Sequence, residues 1–110
     1  MAFSRATFGP GNRRRGVCDH ILKEITNEII PDDKEISDEE AASEFVDVVI
    51  LGLDGMWRSL EAAGINWEDI PNVLVEMIEA KQTKNEQRVW PDWRTMATDV
   101  AIEHDRNYDQ

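Results

Sequence analysis

Two groups of carboxylates have the type and spacing to do chemistry. Glu44 and Asp47 lie three positions apart, and Asp54 follows seven beyond Asp47; at 100° per residue the three fall within a helical arc of ~80°. They share a setting with Phe45-Val46-Asp47-Val48-Val49-Ile50-Leu51, the most apolar run of the chain. An uncompensated buried carboxylate costs several kcal/mol, so a cation is expected beside them. The second group is Glu24 and Glu28, ~40° apart on a helical wheel, with Asn27 ~60° to the other side of Glu24. Carboxylates from two facing helices can hold one or two hard divalent ions, such as Mg²⁺, in contact with phosphate oxygens. A solvated acidic face would account for Glu24 and Glu28 alone, but it accounts poorly for Asp47.

Cations form a matching feature. On a helix counted from Ile70, Lys81, Lys84, Asn85 and Arg88 fall within ~60° of the line of Leu74 and Met77, so the core face turns cationic toward its C-terminal end. Two explanations fit equally: the cations complement the helix dipole, at ~0.3–1 kcal/mol each, or they hold phosphate groups. Arg13, Arg14, Arg15 and Gly16 precede the next helix, whose free amides favour anions; this is either an arm that closes on a nucleotide or a solvated basic tail. His20, one turn before Glu24, either orients a ligand or phosphate or is a satisfied structural histidine. The four tryptophans, Trp57, Trp67, Trp90 and Trp93, suit the core or a subunit interface better than base stacking. No P-loop, nucleophilic triad or helical HExxH is present.

Three helices must position these groups. Residues 1–16, punctuated by Gly9-Pro10-Gly11, read as an irregular basic arm. Apolar residues then recur from Val17 at Ile21, Ile25 and Ile29, a helix ended by Pro31. Ser37 followed by Glu40 is a capping-box pattern that opens a long central helix through Ala41, Phe45, Val49, Met56 and Leu60 to about Ala63, closed by Gly64. Val46–Leu53 also resembles a buried parallel strand, but no partner strand is evident. A third helix runs from about Ile70 to Arg88 and breaks at Val89-Trp90-Pro91; residues 89–110 read as an irregular tail with one turn near Asp99–His104.

The 110 residues, 41% apolar, suit one domain with a modest core that a second subunit would complete. With 23 acidic against 12 basic side chains and a formal charge of −11, broad binding to nucleic acid or an anionic membrane is disfavoured. The single cysteine, Cys18, allows no internal disulfide, and the lack of a signal-like or membrane-spanning apolar segment points to the cytoplasm.

Phe8-Gly9-Pro10-Gly11, Asp19-His20-Ile21 with Lys23-Glu24, Glu44-Phe45-Val46-Asp47, Leu53-Asp54-Gly55 with Trp57-Arg58, and above all residues 79–94, resemble the phage-associated dATP/dGTP diphosphohydrolase branch of the MazG-like all-α nucleotide pyrophosphatases. The resemblance implies an all-α helical bundle completed as a dimer or tetramer, and Mg²⁺ or Mn²⁺ bound through an ExxE on one helix and an ExxD on the next. Glu44 and Asp47 match the second motif; in the first, Glu24 matches but the position three on is Asn27, with a glutamate only at Glu28. The wheel favours Glu28, and Asn27 through its amide oxygen is the alternative. The implied reaction converts a purine deoxynucleoside triphosphate, dGTP foremost as in the MazZ-type enzymes and dATP or GTP also, to the monophosphate and pyrophosphate in the host cytoplasm. Metal-bound carboxylates would place a water for attack at the α-phosphorus, and Lys81, Lys84 and Arg88 would offset charge on the leaving pyrophosphate; Asn85, Asp54, Arg15 and His20 complete the candidate substrate contacts. The alternative from another class is a non-enzymatic acidic phage protein that mimics DNA.

Overall fold

A computed structural model describes residues 1–108. Among them all regular structure is helical: α1 (Ala2–Phe8), α2 (Arg14–Glu24) continuing into a π turn (Ile25–Ile29), α3 (Asp38–Ala62) and α4 (Ile70–Gln87), followed by 3₁₀ turns at Trp93–Thr95 and Arg106–Tyr108. Residues Val46–Leu53 lie inside α3, which disposes of the strand alternative. The chain divides into two compact units, Met1–Leu74 and Val75–Gln110.

In the first unit, α3 begins and ends on the expected signals. The Glu40 amide donates to Ser37 Oγ at 3.1 Å and the Ser37 amide to Glu40 Oε1 at 3.4 Å. These two bonds satisfy donors that every helix leaves free, and Asp38, Glu39 and Glu40 in the first turn complement the dipole. At the other end the Ile65 amide reaches the Leu60 carbonyl at 3.0 Å, which requires the left-handed turn that Gly64 makes at φ 93°. Twenty-five residues give α3 a length of ~37 Å.

Helix α2 packs on α3 at Gly55, where a Cβ would lie 3.4 Å from Val17 Cγ1. Val17, Leu51 and Ile70 are the buried apolar residues of the described chain. By contrast Phe45, Val46, Val49 and Ile50 are 54–60% exposed, so the apolar face around Asp47 is uncovered in the single chain. The expectation that Asp47 is buried is therefore corrected: it is exposed, because the buried apolar contact on its face of α3 lies one turn further on, at Leu51.

The N-terminal arm departs from expectation too. Residues 2–8 form a helix with no side-chain cap, and α2 starts at Arg14 rather than Val17. What holds α1 is tertiary: Arg5 pairs with Glu61, and Ser4 Oγ donates to Asp54 Oδ1 at 2.6 Å.

In the second unit, Trp90 closes the end of α4 by donating its indole N–H to the Asn85 carbonyl at 2.7 Å. His104 stacks edge-on against Trp90 with centroids 5.6 Å apart, and the Asp105 amide donates to the Val89 carbonyl at 2.7 Å. The tail is thus tied back on α4 without a long element of its own. Its turns fall at Trp93–Thr95 and Arg106–Tyr108.

Candidate metal centre

Helices α2 and α3 bring three carboxylates together. Glu24 ends α2, and Glu44 and Asp47 occupy successive turns of α3; one oxygen from each lies within 4.8 Å of the others. Like charges this close oppose one another's ionisation. Glu44 shows the effect: its carboxyl is pushed above the ordinary glutamate range, first by partial desolvation, then by the charges of Glu28, Asp47 and Glu24, and by a hydrogen bond with Asp47. Glu24 is one-fifth exposed at its side chain; Oε1 stands 3.5 Å from His20 Nε2, and Oε2 is buried without a hydrogen-bond partner among the described residues. A buried acceptor without a donor is unfavourable. A hard divalent cation meets both requirements at once, since it takes anionic oxygen donors and offsets their repulsion. The residues therefore fit such an ion.

Glu28 and Asn27 are exposed in the π turn, which is closed by the Ile30 amide on the Ile25 carbonyl at 2.9 Å. A π turn spreads its residues over a wider circuit than an α-turn. Each residue then advances less than 100°, so the position four beyond Glu24, not three, returns toward the face of Glu24. Glu28 is also the strongest charge acting on Glu44.

Asp54 shares the α3 face of Asp47 but has other partners. Arg58 Nε donates to Asp54 Oδ2 at 3.0 Å, and Ser4 takes the second oxygen. Arg58 is 2% exposed; Nη1 donates to the Gly9 and Gly11 carbonyls at 2.8 Å each, and Nη2 to Ser4 Oγ at 2.8 Å. This network ties the Gly9-Pro10-Gly11 segment to α3. Arg58 entered the sequence reading only as part of the family resemblance, with no role of its own, although its i,i+4 spacing from Asp54 was a readable signal.

The remaining candidates are exposed or locally engaged. Arg15 is exposed and lines an open concavity with Asn12, Arg13, Arg14 and Gly16 at the start of α2. His20 packs edge-on against Phe8 with centroids 5.7 Å apart. In the second unit Lys81 and Lys84 are exposed on α4, while Asn85 Oδ1 accepts from Arg88 Nη1 at 2.8 Å.

An all-α chain that gathers carboxylates from two packed helices has the architecture expected of the helical nucleotide pyrophosphatases. The sequence makes the family explicit: the model of the dATP/dGTP pyrophosphohydrolase family matches residues 1–108, and the chain belongs to that family. Its reaction class is that of a nucleoside triphosphate diphosphatase, and the non-enzymatic alternative gives way. No curated protein and no solved structure matches the chain. Among the described residues no helix is long and apolar enough to cross a membrane.

Proposed function

We propose that this protein acts as one catalytic domain in the cytoplasm, hydrolysing purine deoxynucleoside triphosphates, dGTP foremost, to the monophosphate and pyrophosphate with the help of Mg²⁺ or Mn²⁺. The observation that carries the metal assignment is the group Glu24, Glu44 and Asp47 with its buried, unpartnered Glu24 Oε2. Glu28 completes it, supported by the π turn and by its influence on Glu44. A bound divalent ion supplies electrostatic stabilisation at the α-phosphoryl group and makes water more acidic. Glu44 and Asp47 hold their charge on the α3 side of the centre, and Glu24 on the α2 side. Glu28, exposed in the π turn, lends one carboxylate oxygen to that group and has the other to orient the attacking water and receive its proton. Lys81, Lys84 and Arg88 take the leaving phosphates, on the strength of their charge and common helical face, with Asn85 fixing the Arg88 guanidinium. No serine or cysteine is called on, because water attacks directly.

The uncovered apolar face of α3 at Phe45, Val46, Val49 and Ile50 supports assembly into a homodimer or tetramer. Sedimentation should show no monomer at micromolar concentration, and Val49→Lys should dissociate the assembly.

The decisive experiment for the reaction is incubation with Mg²⁺ and each nucleoside triphosphate in ¹⁸O-water, with both products weighed. dGTP should give labelled dGMP and unlabelled pyrophosphate. Label in pyrophosphate, or release of orthophosphate with a diphosphate left behind, would falsify attack at the α-phosphorus.

A further inference from the structure

We propose that His20 is a positioning residue of the carboxylate centre: it holds Glu24 Oε1 and so commits Oε2 to the divalent ion. The inference rests on the metal assignment above and adds to it a group that touches neither the ion nor the substrate.

A glutamate side chain has three rotatable bonds, and freezing them for one ligand bond costs conformational entropy that reduces metal affinity. A second partner that fixes the carboxylate beforehand removes part of that cost, which is why ligating carboxylates are commonly held by outer hydrogen bonds. Glu24 shows both halves of such an arrangement. Oε1 lies 3.5 Å from His20 Nε2, one helical turn back on α2, while Oε2 is buried and has no hydrogen-bond partner among the described residues. Neutral imidazole can serve here as the tautomer that carries its proton on Nε2.

The imidazole is itself braced. Phe8 meets it edge-on at 5.7 Å and 70°, and the Arg13 guanidinium lies 5.7 Å from the centre of the Phe8 ring. Phe8 is the last residue of α1, and the next residue, Gly9, gives its carbonyl to the buried Arg58. A continuous series of contacts therefore runs from Arg58 through Gly9 and Phe8 to His20 and ends on Glu24. His20 is itself 40% exposed at its side chain, so its replacement leaves little void. A histidine serving only the packing of α1 would not need its Nε2 within 3.5 Å of a carboxylate whose other oxygen is buried and, among the described residues, without a hydrogen-bond partner.

The test is calorimetric titration of Mn²⁺ into the metal-free wild type, His20→Ala and His20→Gln, with the melting temperature of each metal-free protein recorded alongside. His20→Ala should bind Mn²⁺ about tenfold more weakly at an unchanged metal-free melting temperature. His20→Gln should recover most of that loss, because its amide N–H₂ can donate to Oε1 from a similar reach. Phe8→Ala, which frees the ring without removing the donor, should fall between wild type and His20→Ala. Equal affinity in wild type and His20→Ala overturns the inference and leaves the metal assignment standing. So does a weakened His20→Ala that melts lower and that glutamine fails to rescue, which would make His20 structural. If the wild type itself takes up no Mn²⁺, the metal assignment falls and this inference with it.

Discussion

Asp47 and Asp54 sit on one face of one helix, two turns apart, and have opposite fates. Asp54 is nearly enclosed, with both oxygens satisfied by Ser4 and the buried Arg58. Asp47 is exposed beside two other carboxylates and shares no cation with them among the described residues. The first arrangement is complete in the single chain and serves architecture. The second gathers like charges, which the proposed divalent ion would offset. Identical side chains in identical helical register are thus separated by what stands four residues away: an arginine follows Asp54 and a leucine follows Asp47.

Substitutions should break this comparison in opposite directions. The largest effect is expected from Asp47→Asn and Glu44→Gln, each of which should reduce turnover to background while circular dichroism shows the helical fold intact; near-normal activity in both would sink the metal centre. Asp54→Asn should do the reverse, retaining the carboxylate centre but lowering stability by about 3–5 kcal/mol in urea titrations, because it leaves the buried Arg58 without its counter-charge.

A smaller effect separates the two groups by pH. Glu44 is held above the ordinary glutamate range, so the folded chain binds that proton more tightly than the unfolded chain does. Its contribution to metal-free stability is therefore unfavourable at neutral pH, and the penalty is relieved as pH falls through the window between the raised and the ordinary value. Urea midpoints should show this slope in the wild type, and Glu44→Gln should flatten it. Metal affinity should run the other way, weakening as pH falls through the same window, since proton and ion compete for Glu44. The smallest change is expected at Lys84→Ala and Arg88→Ala, which should weaken triphosphate binding more than monophosphate binding by a factor of about ten; equal losses would assign these residues to the helix end alone.

Much of this was legible in the sequence, for reasons that differ between elements. The bounds of α3 followed from Ser37, Glu40 and Gly64 because each acts on backbone groups within a few residues of itself. The approach of Glu24 to Glu44 and Asp47 followed from two helical wheels facing each other. Helix α1 did not, because seven residues without a cap lack local support and depend on Arg5 and Ser4 finding partners fifty or more positions away. The π turn was missed because the residues of Ile25–Ile29 continue the apolar period in an α-helix equally well. Asp54 was grouped with Asp47 by helical angle and by its place in the Leu53-Asp54-Gly55 motif, and its pairing with the arginine one turn further on was not anticipated.

The contacts of Arg58 also impose an order of assembly. Its acceptors, the Gly9 and Gly11 carbonyls, lie 49 and 47 residues earlier in the chain. The arm precedes α3 in the chain and has nothing to dock on until α3 is wound, so its docking closes a long loop late. Until then Phe3 and Phe8 stay without their final surroundings. The same dependence should let the arm open more readily than α3, so its amides should exchange with solvent ahead of those in the middle of that helix. On the role proposed for His20, each such opening would loosen its hold on Glu24 through Phe8 and weaken the affinity of the proposed centre for a divalent ion.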